Sequence, residues 1–316
     1  MHSPVMSRIA VIQRPPMLLD RERTLHAAVA AIVEAAQGGA QLIVFPEAFV
    51  PGYPVWIWRL RPGTDSSIAT KLHGLLLDSA VSIKRGDLAP LCAAARKHAV
   101  TVVCGMHERD EDFSRATLYN SVVVIGPDGA ILNRHRKLMP TNPERMVWGL
   151  GDASGLRVVD TPCGRVGTPL CWESYMPLAR YALYTQGVEI YVAPTYDAGE
   201  NWIGTLQHVA REGGCWVVGC GLAMRAVDIP ENFPERSRLY PDPDELINPG
   251  DSVVIAPWGK IEAGPLSKET GILYAEIDTV RCGTARRSLD FAGHYSRPDV
   301  FELRVNRRPR QPVAFD

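Results

Sequence analysis

Apolar and polar positions in this 316-residue chain fall into blocks whose period switches between that of a strand and that of a helix. Residues 8–13 form a short apolar run that predicts a strand. Residues 20–37 carry helical apolar spacing, opened by Asp20 as N-cap and stopped by Gly38-Gly39, and residues 41–45 return to a short apolar run. That is a βαβ start. Helices are expected at 66–82 and at 88–98, the second capped by Asp87, ahead of a buried strand at 100–106.

The pattern then turns to hairpins. Residues 118–125 and 130–133 flank Pro127-Asp128-Gly129, a turn sequence that joins two extended runs. Similar pairs are expected between 156–160 and 165–170, and between 252–256 and 260–263. Helices at 176–186 and 202–213 alternate with strands at 188–192 and 215–220. Mixed sheets with helices on one face must bury the other, and packing two such sheets together achieves this. The expected fold is α/β, a four-layer αββα sandwich with outer helices. Residues 228–249, rich in Pro, Asp and Glu, predict a surface loop; residues 1–303 predict one domain, and 304–316 a basic, solvated tail.

Composition narrows the partners. A formal charge of -1 with 22% charged residues offers no field for nucleic acid or an anionic membrane, and no apolar run is long enough to span one. Seven cysteines, without a C-x-x-C pair, suit a reduced cytoplasmic protein better than a disulfide framework. The first residues lack the charged and apolar regions of a leader. The eight histidines show no metal-ligand spacing, and neither metal nor cofactor is expected.

Candidate chemistry lies at three junctions. Cys171, in LCWESYMPL, sits between a strand and a helix, where a thiol is either a buried small hydrophobe or a nucleophile with a stabilised thiolate. Glu47, in IVFPEAFVPGYP, follows the second strand, the edge at which α/β sheets bind ligands, although an exposed loop carboxylate fits the same position. Lys137, in HRKLMPTNPERMVWG, follows the hairpin. Alone, His135-Arg136-Lys137 reads as a solvated basic run and Glu144 as a surface ion-pair partner of Arg145 or Arg136.

Taken together, FPEAFVPGYP, HRKLMPTNPERMVWG, LCWESYMPL and AGHYSRPDVFEL resemble the nitrilase branch of the carbon-nitrogen hydrolase superfamily, over residues 8–303. The resemblance implies the αββα sandwich and a Glu-Lys-Cys triad at Glu47, Lys137 and Cys171, with Glu144 as a second glutamate beside it. It also implies a homo-oligomer, dimer or higher, with dimers extending into spirals. The expected reaction hydrolyses a small organic nitrile with water to a carboxylic acid and ammonia through a covalent thioimidate, and Trp172 after the cysteine favours this branch. The rivals are an amidase or carbamoylase with the same triad, amide release from the nitrile, and a non-catalytic assembly protein.

Aromatic residues near these motifs suggest the substrate wall: Tyr53, Trp148, Trp172 and Tyr175, with Trp56 read as packing and residues 194–197 as a further wall. His294 reads as structural or interfacial.

Overall fold

The structure, a computed structural model, describes residues 6–313; the first residues, 1–5, on which the expectation of no leader falls, and the end of the tail at 314–316 lie outside the described residues. Strand β1 (Met6–Gln13), helix α1 (Arg21–Gln37) and strand β2 (Leu42–Val44) form the βαβ start. Helices α2 (Ser66–Ser79) and α3 (Ala89–His98) precede strands β3 (Thr101–Arg109), β4 (Leu118–Ile125) and β5 (Ile131–Arg136). The second half runs β6 (Val158–Thr161), β7 (Gly164–Gly167), α4 (Pro177–Tyr184), β8 (Ile190–Pro194), α5 (Glu200–Gly213), β9 (Trp216–Cys220) and β10 (Ala223–Arg225). It closes with α6 (Arg236–Leu239), β11 (Leu246–Ile255), β12 (Ile261–Ser267), β13 (Gly271–Asp278) and α7 (Val280–Arg286).

The strands make two mixed sheets, ordered β13-β1-β2-β3-β4-β5 and β10-β11-β9-β8-β7-β6, with β12 paired to β11. Each has a parallel centre. Ile9 pairs with Leu42 and Leu42 with Thr101 in the first; Val166 pairs with Ile190 and Ile190 with Trp216 in the second. Alternation along the strands sorts side chains to two faces. Ile9, Val11, Leu42 and Val44 meet Ile190, Val192, Trp216 and Val218 between the sheets. Their neighbours Ala10, Ile12 and Ile43 point outward against Ala28, Ile32 and Leu91 of α1 and α3. Tyr191, Ala193 and Val217 likewise face Leu183 and Leu206 of α4 and α5. The expected four layers, helix, sheet, sheet, helix, follow from this double-sided burial.

Several local expectations are corrected. Helix α2 stops at Ser79, because Val81 leaves to hydrogen-bond with the backbone of His107 in β3. Asp87 does not cap α3: its carboxylate accepts from Ser82 N and pairs with Arg85. Residues 228–249 are not merely a surface loop. Ile229, Phe233, Leu239 and Tyr240 pack with Trp56, Leu72 and Leu76 into an apolar cluster, spaced widely enough among polar residues to escape a periodicity reading. The basic tail, as far as Val313, is exposed, touching the body where Arg310 N donates to Asp152. Among the described residues no helix is long and apolar enough to cross a membrane, and no group of three or more His, Cys, Asp or Glu is placed to hold a metal ion.

Candidate active site

Glu47, Lys137 and Cys171 each stand just beyond a strand. Glu47 follows β2, with Ala48 in the left-handed region at φ 50. Gly105 of β3 makes room for it: a Cβ there would sit 2.3 Å from Pro46 O and 2.9 Å from Glu47 Cα. Lys137 continues the β4–β5 ladder, its N–H donating to Asn120 O. Cys171 opens the single helical turn Cys171–Tyr175, beyond β7, and is itself left-handed at φ 48. A non-glycine residue held there costs of order 1–3 kcal/mol and persists only where its surroundings enforce it.

Lys137 is buried between two carboxylates. Its Nζ donates to Glu47 Oε1 at 2.7 Å and to Glu144 Oε2 at 2.8 Å. Glu47 Oε1 also accepts from Asn120 Nδ2 at 2.7 Å, and its Oε2 from Tyr196 N at 2.8 Å. Glu144 is fixed by Tyr53 OH at 2.7 Å and Thr141 N at 2.7 Å. Cys171 Sγ receives the Thr195 hydroxyl at 3.1 Å, and Thr195 Oγ1 accepts from Asp197 N.

Burial and these neighbours set the charges. Burial pushes the Glu47 carboxyl above the usual carboxylate range, and Lys137 pulls it back only in part. Burial alone would lower Lys137, but Glu47, Cys171 and Glu144 outweigh it and hold the ammonium well above its ordinary value. Burial, then Glu47, drives the Cys171 thiol well up, against Lys137 and the Thr195 hydrogen bond. The thiol is therefore protonated at neutral pH.

Of this cluster, Cys171 and Glu144 open on a cavity of about 230 Å³, lined also by Tyr53, Trp58, Thr141, Trp172, Tyr196 and Asp197, with Glu47 and Lys137 bonded to Tyr196 N and Glu144, respectively, at its edge. A larger cleft of about 460 Å³, bounded by Met17, Arg23, Leu75 and Phe233, contains no thiol. Chemistry, not size, singles out the smaller one.

The expected wall residues divide. Tyr53 lines the cavity, its ring stacked on Tyr196 with centroids 3.8 Å apart, and Trp172 lines it with its indole N–H on Asp197 Oδ2 at 2.7 Å. Trp148 is displaced from the wall: it lies edge-on behind Tyr53 and donates to His107 Nδ1. Tyr175 is also not among the lining residues: its half-exposed ring packs between Trp172 and Trp202. Trp56 is core, and His294 is an exposed residue beside Tyr295.

The basic run is not solvated. His135 and Lys137 are buried, and Arg136 pairs with Glu108 and stacks on Tyr119. Nor is Glu144 a surface ion-pair partner, since its cation is Lys137. Sequence reasoning also missed Glu173, whose buried carboxylate accepts from His135 Nε2, Leu138 N at 2.7 Å and Leu170 N at 2.6 Å. It therefore ties the residue after Lys137 to the residue before Cys171. The one available signal was an acidic residue in the first turn after Leu170.

The fold and its pocket define an αββα sandwich with a cysteine in the lining of its cavity, set beside a buried lysine and two carboxylates. The profile of the carbon-nitrogen hydrolase family matches residues 8–287, and the chain belongs to that family. It is 38% identical to "Nitrilase 2" of Arabidopsis thaliana, covering 99% of this chain and 92% of that one. It is 39% identical to a "Bifunctional nitrilase/nitrile hydratase" of Lupinus angustifolius, covering 98% and 88%. The crystal structure of a carbon-nitrogen hydrolase from Helicobacter pylori G27 superposes with a TM-score of 0.71 at 22% identity, covering 93% and 96%, which establishes the shared fold.

Proposed function

We propose that this protein is a nitrilase that converts a compact organic nitrile and two waters to a carboxylic acid and ammonia, with Cys171 as nucleophile, Glu47 as base, Lys137 as electrophilic partner and Glu144 as positioning residue. The observation that carries this is the buried cluster itself, in which the carboxylates of Glu47 and Glu144 share the Lys137 ammonium beside the thiol. Releasing the Cys171 proton to solvent would add a negative charge to this buried group, whereas moving it to Glu47 leaves the total charge unchanged. That favours proton removal as sulfur attacks, and Glu47 retains a free acceptor site because a carboxylate offers about four and three are occupied.

As the S–C bond forms, electron density moves to the nitrile nitrogen, where Lys137 and the backbone N–H of Trp172 stabilise it until Glu47 returns the proton. The product is a thioimidate. A first water, deprotonated by Glu47, adds to that carbon; the C–N bond breaks and ammonia leaves a thioester. A second water cleaves the C–S bond, releasing the acid and restoring the thiol. Near-full-length similarity to proteins named as nitrilases supports a nitrile over an amide, and the aromatic cavity, below the 300–1,000 Å³ of ordinary ligand sites, supports a compact substrate.

Residues 1–303 serve as one hydrolase domain with the basic tail appended, in a cytoplasmic homo-oligomer of dimers or larger spirals. Free thiols at all seven cysteines agree with that compartment. Leu178 at 66% exposure on α4 and Phe301 at 76% near the tail are apolar surface suited to a subunit contact. Light scattering across protein concentrations tests the assembly.

Intact mass after brief exposure to aliphatic, aromatic and arylacetonitriles tests the chemistry. A transient adduct and ammonia are expected, both lost in Cys171→Ala, with acid and amide quantified together. No adduct and no ammonia from any nitrile would refute the reading.

A further inference from the structure

Among the described residues, the titratable side chains lining the cavity besides Cys171 and the tyrosines are two acids, Glu144 and Asp197, and no lysine, arginine or histidine joins them. Lys137 lies behind Glu144 with its ammonium shared between Glu47 and Glu144. Two carboxylates thus share one ammonium at the cavity, and Asp197 adds a third carboxylate on the wall, with no cation of its own among the lining residues. Asp197 is held there from three directions. Its Oδ2 accepts from Trp172 Nε1 at 2.7 Å, its Oδ1 from Ala198 N at 2.8 Å, and its own N–H donates to Thr195 Oγ1.

A hydrogen bond from a neutral indole orients a carboxylate without neutralising it. The bond also ties Asp197 to Trp172, the ring that follows the nucleophile, so a substrate passing that ring meets the charge.

We infer that Asp197 is a charge filter on this cavity: it admits neutral and cationic nitriles, turns away nitriles that carry a carboxylate, and expels the carboxylate product. The inference rests on the nitrilase reading and adds to it the charge class of the substrate. The same field acts at both ends of the reaction, because hydrolysis converts a neutral nitrile into an anion inside an anionic cavity. Like charges a few ångströms apart in a partly buried site repel strongly enough to separate such substrates by about tenfold or more.

The test uses three short nitriles of matched length, an ω-cyanocarboxylate, its ω-cyanocarboxamide and an ω-aminonitrile. The native protein should turn over the carboxamide with kcat/KM at least about tenfold above the carboxylate. In Asp197→Asn the charge is gone; the amide oxygen keeps the bond from Trp172 and gives up the one from Ala198 N, which lies at a half-buried position. The carboxylate-to-carboxamide ratio should rise about tenfold, the aminonitrile should lose ground, and added carboxylate product should inhibit more strongly. An unchanged ratio in Asp197→Asn would overturn the filter while leaving the nitrilase reading intact. Absence of ammonia from all three nitriles would instead remove the nitrilase reading itself.

Discussion

Replacing Glu173 by Gln removes one charge and no volume, yet its cost should be large. Glu173 Oε1 accepts from Leu138 N and Oε2 from Leu170 N, with His135 Nε2 donating to both oxygens at 3.0 and 2.9 Å. A glutamine has one acceptor oxygen and one amide nitrogen, so either flip leaves an N–H pointing at a backbone N–H. If Leu138 loses its partner, the loop holding Lys137 loosens; if Leu170 does, the turn carrying Cys171 loosens. Burial opposes ionisation of Glu173, but His135 and the two backbone donors prevail and hold it below the usual carboxylate range. Breaking such a buried, charge-assisted arrangement costs about 3–5 kcal/mol. Urea denaturation should show a loss of that size with an unchanged m-value. Ammonia release, measured where the variant remains folded, should fall at least about tenfold in kcat, since a displacement near 1 Å costs of that order or more. A Glu173→Gln protein within 1 kcal/mol of native stability, with native kcat, would refute the idea that this carboxylate couples the two loops.

Three further expectations follow from other contacts. Thr195→Val removes the hydroxyl that donates to Cys171 Sγ and should lower kcat about fivefold to tenfold with little change in KM, and Thr195→Ser should restore it, as read by steady-state ammonia release. Gly105→Ala places a methyl against Pro46 and Glu47 and should lower both melting temperature and kcat, whereas a variant with native values would show that the β3 contact does not seat Glu47. Burial lowers His107 to about 3 from an ordinary 6.5. The unfolded chain therefore binds a proton that the native state refuses: stability is complete above pH 6.5 and should fall by about 2 kcal/mol by pH 5, seen in urea melts and absent from His107→Gln.

Much of the architecture was legible because strand and helix periods differ and because Pro-Asp-Gly and Gly-Gly punctuate them. Four elements were not read: the short β10 and α6, and β13, which pairs along the whole of β1, with α7 after it. The partner of β13 lies more than 250 residues away in the chain, and a half-buried edge strand alternates only weakly. The site shows the same divide. The positions of Glu47, Lys137 and Cys171 at strand ends were accessible from local pattern, but their environment was not. Whether a His-Arg-Lys run is solvated or buried depends on Glu47, 90 residues from Lys137, and on Glu173, 38 residues from His135. Trp148 and Tyr175 failed as wall residues for a related reason, since closeness in sequence to a motif does not fix which side of a neighbouring ring a side chain occupies.

Glu47 and Lys137 extend from strands of the first sheet, while Cys171, Thr195 and Tyr196 extend from the second, and the two sets meet only across the apolar seam between the sheets. Neither half of the chain contains a complete site. During synthesis Glu47 and Lys137 emerge well before Cys171, and the thiol acquires its carboxylate neighbour only when the second sheet has docked on the first. On the proposed assignment, a reactive thiol therefore requires both sheets. A partly folded chain carries seven ordinary cysteines, and one of them becomes distinct when the sandwich closes.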